Sequence, residues 1–517
     1  MERAGGAPAA VEPSSMPSPK LPAALLAVLI GLGASPVGAD PAPGCPLDGY
    51  DDRCEIWVQV EDDPDGLAPS QSPTALAASP DGRLVYMSML ESTGAGFDSK
   101  SRWAVVARDA GTGALVWAYR EVGAPTEYAF PTTIAVAPDG SRVYVSGSRR
   151  PQVNSPDSRL TTSAFDAATG GLLWTSTYDG SPGIDNARKL VVSPDGTQIF
   201  VAGISGPGAN LDYAAISYDA ATGQEKWVTR YEGIGANLVD SPFDVAVSDD
   251  GETLAMTGWS GGPGEFDLDF GTVAFDTRGP SAGAIRWVSR YEGLGFRAPD
   301  RANAIAISPD GDTVFVGGMS GQDDDGPPFD VDYRFTTVAY DASTGAQLWE
   351  ARRTWEGSTM TEVSDLAVAP DGSLVYATGY ANGSQNNDMV TVAYDPATGA
   401  ELGATREALL EHDGERGAAV VATQEAVLVA GASSTHLTEP LFLNQRRLVD
   451  QTTTAYSPTL GEKLWTARLN ATTIGQTSGQ SLVIAGDQLI VLGQSSDNVS
   501  VDTDVFDGVL AAYDLAA

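Results

Sequence analysis

Histidine, cysteine and basic side chains are scarce in this chain: among 517 residues there are 2 His, 2 Cys and 30 Lys and Arg. Each shortage closes off a class of function. His412 and His436 are the only imidazoles, so a His-rich metal site or a Ser-His-Asp arrangement has little material. Cys45 and Cys54 both precede the repeated part of the chain. In an exported protein they would pair and close a small loop at the mature N-terminus. A lipid anchor on Cys45 is the weaker alternative, because Ala42-Pro43-Gly44 before it lacks the usual apolar residue.

Against 30 basic side chains stand 68 acidic ones, for a formal charge of −38. Such a field repels nucleic acid and anionic membranes at long range, which removes nucleic acid from the expected partners. Long apolar runs are also missing. The one near the N-terminus, residues 21–32, follows Lys20 and is too short to span a bilayer; Val37 and Ala39 supply small residues for cleavage before Asp40. Residues 1–39 therefore read as a signal peptide with an N-terminal extension, residues 40–54 as a short Cys-containing segment, and the protein as secreted or periplasmic.

What is abundant is glycine and proline, 58 and 32 residues, the composition of many short strands joined by tight turns. The turn Pro-Asp-Gly at Pro80, Pro138, Pro194, Pro309 and Pro370, with Asp249-Asp250-Gly251 in the same role, recurs at intervals of 55 to 61 residues. That period excludes heptads, leucine-rich repeats and tetratricopeptide arrays. Within the unit around Pro194, apolar runs at 190–193, 197–202, 213–218 and 224–229 alternate and are separated by turn residues. Each unit is thus expected to be a four-stranded antiparallel meander. Two later units lack the turn but keep the second strand, and a Gly recurs on it at Gly147, Gly203, Gly258, Gly318, Gly379, Gly431 and Gly493. A Gly there marks either a bend or a close approach to another backbone.

A tryptophan follows the second turn Gly by four residues at Trp117, Trp174, Trp227, Trp287, Trp349 and Trp465. A large flat ring at one repeated position packs a sheet against its neighbour, so these are core residues and no cofactor box. The sixth unit has Gly403 there, which predicts one weak contact. The chain ends on a third strand, and the missing fourth is the orphan at residues 55–60, whose Trp57 takes the repeated Trp position. The ends then complete one blade between them. The expected architecture is an all-β, eight-bladed β-propeller over residues 55–517, closed by the N-terminal strand, with seven blades as the fallback, and monomeric.

The Asp-x-x-Thr-Gly-x-x-x-Trp hairpins resemble the tryptophan-docking motif of PQQ-like β-propeller repeats. Stretches such as DYAAISYDAATGQEKWVTRYEG and DVAVSDDGETLAMTGWSGG resemble the exported bacterial β-propeller repeat proteins of the SBBP type. The resemblance implies the fold and leaves function open, because such repeats occur in enzymes, in outer-membrane assembly lipoproteins and in proteins of unknown role. The family's PQQ-dependent dehydrogenases hold their quinone between a Trp face and a ring made by two adjacent cysteines, with Ca²⁺ and an Asp base. This sequence has no adjacent cysteines and no Cys-x-x-Cys-His. PQQ is disfavoured on that ground, and a dehydrogenase of alcohols or sugars is kept as the alternative.

Acidic residues gather before the third strands: Asp98, Asp212, Asp267, Asp269, Asp330, Asp332, Asp388, Asp502, Asp504 and Asp507. The loops between units, on the same face, add Asp179, Glu232, Asp240, Glu292, Asp300 and Glu356. Hard oxygens in Asp-x-Asp spacing suit Ca²⁺, with Asp267, Asp269, Asp330 and Asp332 as the candidate ligands. The simpler reading, solvated turn residues, has the stronger claim. The function expected is an exported binding or interaction scaffold whose protein or small-molecule ligand is unknown.

Overall fold

One repeat shows how the chain folds. Residues 184–231 form the strands Ile184–Val192, Gln198–Gly206, Asp212–Asp219 and Glu225–Tyr231, paired in sequence order and antiparallel throughout. The second and third strands are buried on both faces and the fourth is half exposed. At the Pro194-Asp195-Gly196 turn, the Asp195 carboxylate accepts from the Ser193 hydroxyl (2.7 Å) and the Thr197 N–H (3.0 Å), while Gly196 takes φ of 70°. The turn chemistry is that of an Asx turn closed by a left-handed residue.

In this computed structural model the described residues run from 56 to 515, without 61–69, 93–100, 122–126, 153–154, 181–182, 209, 235–238, 263–267, 295–298, 324–330, 383–386, 408–413, 438–445, 470–475 and 498–504. All lie in the unit Ala39–Ala517. Cys45, Cys54 and the signal-peptide region fall outside them. Among the described residues no helix is long and apolar enough to cross a membrane.

Eight such sheets are present among the described residues. Blades 1 to 7 cover residues 70–120, 128–178, 184–231, 241–291, 301–353, 361–407 and 414–469, and blade 8 covers residues 476–514 together with Trp57–Val60. The closure expected from the sequence is seen: Trp57 pairs with Ala512 and Val60 with Val509. Leu76, Met87 and Val106 of blade 1 share a core with Ile490, Leu510 and Ala512 of blade 8. A single parallel bridge, Ser101 to Tyr128, also links blades 1 and 2.

The first strand of each blade is longer than its alternation suggested. In blade 3 it starts at Ile184, six residues before the apolar run, because a bulge at Arg188 shifts the register between Ala187 and Lys189. The same bulge falls at Thr74, Thr132, Phe243, Asn303, Ser364, Ala418 and Gln480. An inserted residue breaks a period of two, so the pattern could not be read through it. The recurring Gly of the second strand faces this bulge: a Cβ on Gly318 would lie 1.9 Å from the Arg301 carbonyl oxygen. Close approach, and no bend, is its reason. First strands of neighbouring blades pack on one another and form the inner wall of the ring.

Between blades the tryptophans act as bolts. The indole N–H of Trp117, Trp287 and Trp349 donates to the carbonyl of Ala167 (2.9 Å), Ala342 (2.8 Å) and Pro396 (2.8 Å) in the next blade's turn, and Trp174 does so to Ala220 (3.2 Å). The turn glycine of that next blade lies on the ring. On Gly170 a Cβ would be 2.5 Å from Trp117. Trp227 stacks on Phe275 at 25°, and Trp465 lies 6.3 Å from Tyr513. Of Trp57 the backbone pairing alone is described.

The weak contact expected at Gly403 is absent, because blade 7 fills the gap itself. Its turn drops the usual pattern: Leu460, with φ of 57°, is 6 % exposed and packs with Tyr376, Met389, Val420 and Tyr456. A Cβ on Gly403 would sit 2.1 Å from the Thr459 carbonyl oxygen, so no ring could occupy that place. The Tyr376 hydroxyl donates to the Pro458 carbonyl at 2.8 Å. A left-handed non-glycine residue costs about 1 to 3 kcal/mol, which the burial of Leu460 offsets. Leu460→Ala is therefore expected to lower unfolding stability by about 2 to 5 kcal/mol. Denaturation midpoints that coincide with the wild type would show that Leu460 does not replace the missing ring.

Candidate functional site

The acidic face divides into three groups once folded. In the first, an arginine of the fourth strand reaches the acid: Arg230 to Asp212 (2.8 Å), Arg290 to Asp269 (2.5 Å) and Arg406 to Asp388 (2.6 Å). In blade 1 the same strand position is Arg120, which meets the fully buried Glu91 at 2.7 Å, and Arg102 meets it at 2.6 Å. Asp332 takes Arg334 at 3.3 Å. These arginines were readable in the sequence, three residues after the repeated Trp position at Arg120, Arg230, Arg290, Arg352, Arg406 and Arg468.

The second group consists of buried clasps. Asp240, 1 % exposed, accepts from the N–H groups of Gly233 (2.9 Å) and Gly261 (3.1 Å) and from the Ser260 hydroxyl (2.6 Å). Asp300 likewise takes the N–H groups of Gly293 (2.6 Å) and Gly321 (2.9 Å), and burial pushes its pKa up to about 6. Each clasp ties a loop between blades to the second strand of the following blade. The third group, Asp179, Glu232, Glu292 and Glu356, is exposed.

Of the four candidate calcium ligands, Asp269 and Asp332 are held by arginines, and Asp267 and Asp330 lie outside the described residues, as do Asp98, Asp502, Asp504 and His412. His436 belongs to the strand Val427–Leu437. Among the described residues no three His, Cys, Asp or Glu side chains are grouped to hold a metal ion. A carboxylate already neutralised by a guanidinium gains little from a cation. Melting midpoints at fixed ionic strength are expected to coincide with Ca²⁺, with Mg²⁺ and with chelator; a rise specific to Ca²⁺ would return these aspartates to metal binding.

A different site emerges at the mouth of the central channel, on the face where the first strands begin. Arg188, the exposed bulge residue of blade 3, lies over the Phe243 ring of blade 4, 5.7 Å from its centroid. Phe243 meets Trp259 edge to face at 5.6 Å, and Arg301 of blade 5 covers Trp259 at 4.6 Å. Three blades thus contribute one ladder of guanidinium, ring, ring and guanidinium. Beside it Asn303 donates to Glu362 (2.6 Å), which also accepts from the Tyr380 hydroxyl (2.7 Å), and Arg416 of blade 7 lies over Tyr380 at 4.3 Å. The sequence carried no regular periodic signal for this arc: residue types vary among equivalent positions, although Arg301 and Arg416 both stand two residues before the bulge.

One residue deeper, Asp244 accepts from the Ile305 N–H (3.0 Å) and Asp365 from the Val420 N–H (2.8 Å). Both N–H groups belong to the bare inner edge of the next blade's first strand, and Thr133 serves Leu190 in the same way at 3.3 Å. Lys189 stands 4.0 Å from Asp244. Burial raises the pKa of Asp244, and pushes that of Asp365 up to about 7, with the charge of Asp244 adding to it and Lys189 opposing it.

The profile of the PQQ-like repeat family, described as outer membrane protein assembly factor BamB, matches residues 101–274 and 334–512, more than half of the chain. The chain belongs to this PQQ-like repeat family. Among curated proteins none matches. Among solved structures, the PQQ-like chain is similar to Sqt1 of Chaetomium thermophilum, at 12 % identity over 88 % of this chain and 97 % of that one, with a TM-score of 0.50. A second structure of Sqt1, bound to the N-terminus of a ribosomal protein, matches at 12 % identity over 87 % and 98 %, also with a TM-score of 0.50. A quinohemoprotein alcohol dehydrogenase from Comamonas testosteroni matches at 13 % identity over 88 % and 78 %, with a TM-score of 0.49. The two likenesses to Sqt1 speak for the propeller fold.

The family's name raises the question of a quinone. In the channel mouth, Trp259 has one face under Arg301 and its edge against Phe243, and Asp244 and Asp365 each hold a neighbouring backbone N–H. With these two carboxylates held by backbone N–H groups and no three His, Cys, Asp or Glu side chains grouped as a calcium ligand set among the described residues, these residues do not fit the group. The raised carboxyl of Asp365 has a consequence for stability. Its folded pKa, about 7, exceeds the ordinary 3.8, so its contribution is fully present below pH 4 and lost as pH rises through 7. Asp365→Asn is expected to flatten the fall in unfolding free energy between pH 4 and 8; an unchanged slope would place that titration elsewhere.

Proposed function

We propose that this PQQ-like propeller is an exported binding module that seats a protein or small-molecule ligand at its channel mouth and performs no chemistry on it. The observation that carries this reading is the arc from Arg188 to Arg416, which gathers guanidinia on aromatic rings, an amide and a phenol across blades 3 to 7. Those are groups of recognition. The nearby carboxylates are committed to backbone N–H groups or to Asn303 and Tyr380. Export is supported by the layout of residues 20–40 and by the resemblance to SBBP-type repeats.

A quinoprotein dehydrogenase oxidising an alcohol or sugar is the competing reading. Protein titrated with PQQ and Ca²⁺ is expected to show no quinone absorbance and no dye-linked oxidation, and activity would overturn the binding reading. A photo-crosslinking residue at Phe243 is expected to capture the ligand from the export compartment. The same residue at Leu173, exposed on the outer strand of blade 2, is expected to capture none. Equal capture at both positions, or none at Phe243, would displace the seat from the channel.

A further inference from the structure

The geometry points to a specific ligand chemistry for that seat: an acidic peptide segment whose carboxylates are received by Arg188 and Arg301. This rests on the channel-mouth reading and narrows it. Among the described residues neither Arg188 nor Arg301 has a carboxylate within ion-pair distance, although the chain carries 68 acidic side chains and Arg120, Arg230, Arg290 and Arg406 of the fourth strands are paired. Their known contacts are the aromatic rings beneath them and, for Arg188, the Ser241 hydroxyl at 3.4 Å. In a protein of charge −38, the two guanidinia at opposite ends of this aromatic ladder therefore stand without an acid among the described residues. The missing partner is an anion from outside.

Three further observations agree. Arg301 Nε and Trp259 Nε1 are buried and have no hydrogen-bond partner among the described residues, which leaves donors unspent at the ladder. Burial alone lowers the pKa of Arg188, with no acid opposing it. Each guanidinium lies over a ring, an attraction that keeps it in place, and its N–H groups suit paired bonds to a carboxylate.

The rings also choose between two kinds of acidic polymer. A sugar acid would be recognised by stacking on an open aromatic face, and here a guanidinium covers one face of Phe243 and one of Trp259. That places N–H donors over the rings, which suits Asp and Glu side chains. Lys189, one residue deeper and 54 % exposed, offers a third cation to the same segment. Glu362, Asp244 and Asp365 face the same space; the last two hold N–H groups of the inner wall, and their raised pKa values reduce the negative charge that opposes an acidic ligand. The distant acidic rim acts only beyond a Debye length of about 8 Å at physiological salt.

The test is fluorescence anisotropy at physiological salt on the full mature chain, with a labelled ten-residue polyglutamate, the matching polyglutamine and a polygalacturonate oligomer. Polyglutamate is expected to bind and polyglutamine not. Arg188→Gln and Arg301→Gln are each expected to weaken it about tenfold, as loss of a charge-assisted hydrogen bond does. Lys at either position is expected to restore part of the affinity. Arg278→Gln, which breaks the exposed pair with Asp195 far from the channel, is expected to leave binding unchanged. Failure of polyglutamate to bind, equal binding by all variants, or preference for polygalacturonate would overturn the acidic-peptide assignment. If crosslinking at Phe243 still captures a ligand in that case, the seat stands and only its chemistry falls; if both fail, the channel-mouth reading falls too.

Discussion

Every blade of this ring depends on a contact it does not own. The indole of one blade is held by a carbonyl and a glycine of the next, so a blade is complete only when its successor is folded against it. In a closed ring that dependence has no end point, and the strand Trp57–Val60 supplies the last link by pairing with Ala512 to Val509. The free edges that would invite aggregation disappear with it. Leu460 shows that the constraint is on the filled space and not on tryptophan. Where blade 6 lacks the ring, blade 7 accepts a left-handed leucine to close the gap.

Inside the ring the governing feature is the bulge of the first strand. It costs each blade one ladder pairing, and it bares N–H groups on an inner edge that no other strand can reach. Thr133, Asp244 and Asp365 satisfy them from the neighbouring blade. The same bulge turns Arg188, Phe243 and Asn303 toward the channel, and blade-to-blade variation at that one position writes the character of the mouth. Scaffold and recognition therefore use a single backbone device.

Electrostatics in this protein are local. A chain of −38 would be expected to present acid wherever it meets a ligand, yet much of its repeated acidity is spent on structure: arginines pair Asp212, Asp269 and Asp388, and backbone N–H groups take Asp240 and Asp300. Net charge describes the field far from the surface. The mouth of the channel is set by the few groups within a Debye length, and there guanidinia prevail.

The strand order, the eight blades, the closing strand and the packing of the tryptophans were legible in the sequence, because turns, alternation and a repeated ring are local signals that recur with the repeat. Function was legible in part: the acidic clusters were visible, and so, with hindsight, was the arginine three residues after six of the repeated Trp positions, at Arg120, Arg230, Arg290, Arg352, Arg406 and Arg468. The ladder of Arg188, Phe243, Trp259 and Arg301 was not. Its members come from three blades, differ in type from their equivalents elsewhere and sit at a bulge that interrupts the alternation. Sequence by itself determined the repeating sheet, since that rests on contacts a few residues apart. Only the tertiary structure decided which groups face the channel and what they touch there, because those contacts span 53 to 61 residues and exist only when neighbouring blades stand side by side.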